Sequence, residues 1–133
     1  MRIVITDREK TVIEEIIRAL QKSGLEYELE GTAQNGQKGY ELIESTHPDL
    51  IIMDVRLEGM DGLTMLKKLR DKGITSKVIM LTKDTDFNTA REAIELGADS
   101  YLLKPLKTEE LHRELLKISD RLAEEKAITS VFT

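Results

Sequence analysis

Two kinds of apolar pattern alternate along the chain. Short unbroken apolar runs, Ile3-Val4-Ile5, Leu50-Ile51-Ile52-Met53 and Val78-Ile79-Met80-Leu81, are bounded by polar and turn residues. Runs of this length read as strands buried on both faces, as in a parallel sheet. Between them, apolar residues recur at steps of three and four, the spacing of one helix face. Val12, Ile13, Ile16, Ile17 and Leu20 mark helix one, closed by Ser23-Gly24, where glycine suits a left-handed terminator. Tyr27 to Ala33 reads as strand two, less apolar and so nearer an edge. Asn35-Gly36 reads as a turn, and Gln37 to Thr46 as helix two with Tyr40, Leu42 and Ile43 as its apolar contribution. Gly39 inside that helix costs roughly 1 kcal/mol against alanine. Pro48 biases His47 away from helix ahead of strand three, Leu50 to Asp54. Helix three runs from about Leu63 to Asp71, capped by Asp61 and closed by Gly73. Strand four is Lys77 to Thr82. Thr85 or Asp86 caps helix four, which extends to Leu96 before Gly97. Strand five is Ser100 to Lys104, and helix five begins after Pro105 and reaches at least Lys126.

Five alternations of strand and helix imply a parallel sheet with right-handed crossovers and helices on both faces. The fold class that fits is a doubly wound, five-stranded α/β sheet of the flavodoxin-like kind, order 2-1-3-4-5. That order turns sequence positions into a site. Strands one, three, four and five end on Asp7, Asp54, Thr82 and Lys104. The carboxyl ends of parallel strands share one edge, where ligands gather in open α/β sheets. Taken singly, each residue has an ordinary explanation, and a lone lysine is most often simply solvated. Two acids, a hydroxyl and an ammonium at four strand ends are much harder to explain as chance.

At 133 residues the chain is long enough for one domain with a real core. We expect that domain to be residues 1–126, with 127–133 a tail or truncated linker. Cysteine is absent, which excludes disulfides, thiol catalysis and thiolate metal sites. The net charge of −5 argues against direct nucleic-acid binding by the domain. No apolar run reaches membrane-spanning length, and the stretch before Asp7 is too short for a signal peptide. A cytoplasmic location with no membrane partner is the expectation.

Three motifs carry a resemblance. Met53-Asp54-Val55-Arg56 with Gly59-Met60-Asp61-Gly62, Val78-Ile79-Met80-Leu81-Thr82, and Gly97-Ala98-Asp99-Ser100-Tyr101-Leu102-Leu103-Lys104-Pro105 together resemble a response-regulator receiver domain, the CheY-like module of two-component signalling. The resemblance covers Arg2 to about Leu122. It implies that Asp54 accepts a phosphoryl group from a sensor histidine kinase as an acyl phosphate. It implies a Mg²⁺ ion held by Asp7, Asp54 and the backbone carbonyl of Arg56. Lys104 would pair with the phosphoryl group, Thr82 would turn its hydroxyl onto it, and Tyr101 would follow inward as the switch aromatic. The Lys104-Pro105 bond would be cis. The face built from helix four, strand five and helix five, with Arg91, Glu95, His112 and Arg113, would contact an effector domain, a partner protein or a second copy. The module would be no enzyme beyond assisting its own phosphoryl transfer and hydrolysis.

One departure stands out. The second member of the family's acidic pair falls on Arg8. Glu9 takes over as metal ligand if the loop bulges by one residue, and otherwise Arg8 can rest on Asp54 and imitate the ion. A receiver-fold interaction module with impaired phosphorylation is therefore the rival reading. Arg56 and Asp84, two residues beyond Asp54 and Thr82, are expected to form an ion pair shaping access to the site. A dehalogenase-type phosphatase would need a second aspartate where Arg56 stands, and a flavodoxin would need a hydroxyl- and glycine-rich loop where Asp7 and Glu9 stand.

Overall fold

The strands that carry apolar side chains on both faces are the ones sandwiched between helices. In a computed structural model, which describes residues 1–132 and the side chains through Val131, five parallel strands form one sheet. They are β1 (Arg2–Thr6), β2 (Glu28–Ala33), β3 (Leu50–Met53), β4 (Lys77–Thr82) and β5 (Ser100–Leu103), in the order β2-β1-β3-β4-β5. The helices are α1 (Lys10–Lys22), α2 (Gly36–Thr46), α3 (Gly62–Asp71), α4 (Phe87–Glu95) and α5 (Thr108–Phe132). Alternation along each strand sends successive side chains to opposite faces. Val4, Ile51, Met53, Val78 and Met80 pack with Tyr40, Ile43, Met65, Leu66, Leu69 and Ala93 from α2, α3 and α4. Ile3, Ile5, Leu50, Ile52, Ile79 and Leu81 pack with Ile13, Ile16, Leu20, Leu111, Leu115 and Ile118 from α1 and α5. The two cores clamp β1, β3 and β4, and so fix the strand ends that carry the polar residues.

Several boundaries differ from the sequence reading. Asn35-Gly36 is a helix start and not a separate turn: the Asn35 side chain accepts the Lys38 N–H at 2.9 Å, and Gly36 is the first residue of α2. A Cβ on Gly36 would stand 1.8 Å from the backbone oxygen of Met60, so the glycine is there for close approach. Gly39 has a similar reason, since its Cβ would meet Thr6 Cγ2 at 2.8 Å. The helix propensity lost at Gly39 is the cost of laying α2 directly on β1. Strands β3 and β5 stop one residue earlier than expected, leaving Asp54 and Lys104 just beyond them. Helix α5, expected to reach at least Lys126, continues through residues 127–132. Thr133, the last residue of the expected tail, lies outside the described residues.

Gly36→Ala should lower the unfolding free energy by about 1–3 kcal/mol, the usual range for overpacking a close contact. Urea denaturation measures it. A midpoint unchanged from wild type would mean that the loop carrying Met60 yields freely.

Candidate functional site

Three site residues sit one step beyond their strands because the ladder hydrogen bonds continue one step further. Asp7 N–H donates to Ala33 O (3.0 Å), Asp54 N–H to Thr6 O (3.0 Å) and Lys104 N–H to Thr82 O (2.8 Å). Their backbones are therefore held as firmly as the strands themselves, while the chain is free to turn just after.

The turns use the same side chains. One oxygen of Asp7 accepts the Glu9 N–H at 2.9 Å, one of Asp54 accepts the Arg56 N–H at 3.0 Å, and Thr82 Oγ1 accepts the Asp84 N–H at 3.2 Å. Each is a residue turning its own backbone two positions on, as Asx and Ser/Thr turns do. The second oxygens of both aspartates meet one cation. Lys104 Nζ lies 2.8 Å from Asp7 Oδ2 and 2.6 Å from Asp54 Oδ2. All three side chains are buried: 2% of Asp7, 8% of Asp54 and 5% of Lys104 remains exposed. Thr82 is fully buried beside them at the end of β4.

Two carboxylates and one ammonium leave an excess negative charge in a buried site. Burial pushes the Asp7 carboxyl above its ordinary range; Lys104 and the Glu9 N–H pull it back only in part. Burial also opposes the charge on Lys104, but its hydrogen bonds to Asp54 and Asp7 outweigh that, and its pKa stands above the usual lysine value. This charge imbalance and the hard-oxygen donor set fit Mg²⁺, which binds through one or two carboxylates plus phosphate and keeps several waters. Asp7, Asp54 and the Arg56 carbonyl would hold it. Among the described residues no three His, Cys, Asp or Glu side chains cluster to hold a metal.

Around the mouth, Arg56 and Asp84 form the expected ion pair. The Asp86 N–H, and then Arg56, hold the Asp84 carboxyl below its ordinary range. Tyr101 is half-buried and its hydroxyl donates to the Asp84 backbone oxygen at 2.9 Å. The Lys104-Pro105 bond is cis.

Arg8 is exposed and does not take the bridging place; Lys104 fills it, reaching both acids from the opposite side of the site. Glu9 is not gathered with Asp7 and Asp54 either, and instead pairs with Lys83 at 3.3 Å. Lys83 went unnoticed in the sequence, although its place directly after Thr82 was the available signal. His112 does not share the α4–β5–α5 face, since its Nε2 lies 2.7 Å from Ala19 O in α1. The apolar residues that do stand exposed on α4 and β5 are Phe87 (74%), Ile94 (51%) and Leu103 (46%).

Comparison with known proteins agrees with this geometry. The family model for the response regulator receiver domain matches residues 3–116. The nitrate/nitrite response regulator protein NarL of Escherichia coli K12 is 40% identical over 85 residues, 64% of this chain and 39% of that protein. The positive alginate biosynthesis regulatory protein of Pseudomonas aeruginosa is 34% identical over 119 residues, 90% of this chain and 47% of that one. The chain thus spans less than half the length of these two relatives. Among solved structures, the signal receiver domain of the response regulator NarL from Mycobacterium tuberculosis superposes with a TM-score of 0.82 at 28% identity, covering 90% of this chain and 95% of that one. The response regulatory domain of protein mrkE from Klebsiella pneumoniae reaches a TM-score of 0.86 at 20% identity, covering 93% and 99%, a likeness of fold. A doubly wound sheet with two buried acids and a lysine at its carboxyl edge, matched along most of its length by this family model, belongs to the response-regulator receiver domains of two-component signalling.

Proposed function

We propose that Asp54 is the phosphoacceptor of this receiver and takes its phosphoryl group from a sensor histidine kinase. The observation that carries this is the Asp54 carboxylate at the end of a central strand, with Lys104 Nζ 2.6 Å away and Thr82 adjacent. In the transfer an Asp54 oxygen forms a bond to phosphorus while the phosphorus–nitrogen bond of the phosphohistidine breaks. The electron pair departs with the imidazole. Positioning and charge neutralisation dominate such chemistry. Bound Mg²⁺ would supply neutralisation for the phosphoryl oxygens. Lys104 stays beside the group and balances one of the added charges. Thr82, turning its hydroxyl toward the phosphoryl oxygens, gives up the Asp84 N–H it now accepts. That releases the β4–α4 loop, to which Tyr101 is tied through Asp84 O. The change thereby reaches the surface of Phe87, Ile94, Leu103 and Tyr101, the face that would meet an effector domain, a partner protein or a second copy.

Incubating the chain with a small acyl-phosphate donor and Mg²⁺ should give a base-labile phosphoryl adduct. A protein that remains unmodified under these conditions would favour the rival reading, an interaction module that Arg8 has impaired.

Arg8 supplies no ligand where a carboxylate would. Mg²⁺ should therefore bind about tenfold more tightly to Arg8→Asp than to wild type, roughly 1.4 kcal/mol. Calorimetric titration of both proteins is the measurement, and equal affinities would mean that another acid already serves freely. At the mouth, the Arg56–Asp84 pair stands where it would hinder attacking water. The Arg56 end of the pair is exposed, and pairs open to solvent are worth about 0–1 kcal/mol, so Arg56→Ala should speed hydrolysis of the adduct by up to about fivefold. An unchanged decay rate would leave Arg56 merely solvated.

A further inference from the structure

The ion pair between Glu9 and Lys83 has no place in the machinery described above. Glu9 occupies the N-cap position of α1, yet its side chain makes no capping hydrogen bond. Its N–H is bound to Asp7 Oδ1, so its backbone lies directly beside the first carboxylate of the site. Its carboxylate crosses instead to the β4–α4 loop, where Oε1 lies 3.3 Å from Lys83 Nζ. Both residues line a cavity of about 170 Å³ whose walls include Lys104 and Pro105. The pair thus shares a cavity with Lys104, whose ammonium bridges Asp7 and Asp54.

We propose that Glu9 is the missing second acid of the Mg²⁺ site and that Lys83 withholds it, so that the Glu9–Lys83 pair sets the metal affinity. This rests on reading Asp7 and Asp54 as the metal carboxylates of a receiver. Arg8 offers no acceptor at the adjacent position, and glutamate, one methylene longer than aspartate, compensates for standing one residue further along. A carboxylate engaged with an ammonium is a poorer ligand than a free one, so metal and Lys83 compete for Glu9. The pair is exposed, with 36% of the Glu9 side chain and 72% of Lys83 accessible. Exposed pairs are weak, which limits the competition to about fivefold in affinity. Coupling of this kind is reciprocal: bound metal releases Lys83 from Glu9. The freed ammonium then stands one residue beyond Thr82, available to a newly attached phosphoryl group.

Calorimetric Mg²⁺ titration of wild type, Lys83→Gln, Glu9→Gln and the double variant tests this. Lys83→Gln should bind Mg²⁺ about two- to fivefold more tightly, Glu9→Gln more weakly, and Lys83→Gln should lose its effect in the Glu9→Gln background. An equal effect of Lys83→Gln in both backgrounds would overturn the proposal, because simple repulsion between Lys83 and the metal acts whether or not Glu9 is present. So would no effect in either. If the wild type forms the acyl-phosphate adduct while Lys83→Gln leaves the affinity unchanged, only the competition fails. If it forms no adduct and binds no Mg²⁺, the receiver chemistry and the competition fall together.

Discussion

Lys104→Ala should unfold with about 3 kcal/mol less stability than wild type when no divalent cation is present. Among the described residues Lys104 is the one cation contacting both Asp7 and Asp54, and its side chain is only 5% exposed. Removing one partner of a buried ion pair costs about 3–5 kcal/mol because a charge is left uncompensated. The lower end applies, since Asp7, already pushed up by burial, takes up a proton and cancels part of the repulsion. For a domain of this size about 3 kcal/mol amounts to roughly 10 °C in Tm. Mg²⁺ should restore part of the loss, because ligand binding to the folded state adds stability and the ion replaces the missing charge. The pH dependence follows from the raised pKa of Lys104. Its contribution is fully present below the ordinary lysine value of 10.5 and disappears only as pH rises through the higher folded value. The stability gap between wild type and Lys104→Ala should therefore persist through neutral pH and close in strong alkali. Thermal melts in chelator and in Mg²⁺ measure both effects. Equal Tm values in chelator would mean that the two acids do not depend on Lys104.

Asp54→Asn should reduce the phosphoryl adduct to background while leaving the fold intact. The amide keeps an oxygen for the Arg56 N–H, so the turn after β3 survives. The nucleophilic carboxylate is lost, and no other group in the site offers equal access: Asp7 is more deeply buried and Thr82 is fully enclosed. Stability should be unchanged or higher, because one of two neighbouring buried carboxylates has gone and Lys104 keeps Asp7. Loss of the adduct together with unfolding would not count for the assignment, so a melt accompanies the labelling. An adduct of wild-type yield in this variant would refute it.

The fold was legible because its strongest signals were local. Short unbroken apolar runs bounded by turn residues read as strands covered twice, and the steps of three and four in α1 and α5 leave one face to do the covering. From strand order alone, Asp7, Asp54, Thr82 and Lys104 were expected at one edge, and they lie there. What stayed hidden depends on where side chains cross between elements. Asn35-Gly36 has turn chemistry whether it ends a loop or starts a helix, and only the approach of Met60 explains the glycine. The carboxylates of Asp7 and Glu9 look alike in sequence, yet one turns inward to Lys104 and the other outward to Lys83. Arg8 and Lys104 carry the same charge, and the burial of their neighbours decides which of them bridges the acids. His112 belongs to α5 by sequence, but the helix rotates it toward Ala19 in α1. Helix α5 runs past the end of its apolar stripe because nothing in residues 127–132 breaks a helix.

Asp7 and Asp54 present equivalent oxygens to the same lysine, and the central claim is that Asp54 alone is the nucleophile. Its carboxylate is the more exposed of the two, at 8% against 2%. The most direct measurement is reductive trapping. The wild-type chain is phosphorylated with a small acyl-phosphate donor and Mg²⁺, treated with borohydride, which converts an acyl phosphate to the alcohol, and mapped by peptide mass spectrometry. The modification should appear at Asp54 and nowhere else; modification at Asp7, or at neither residue, would contradict the account.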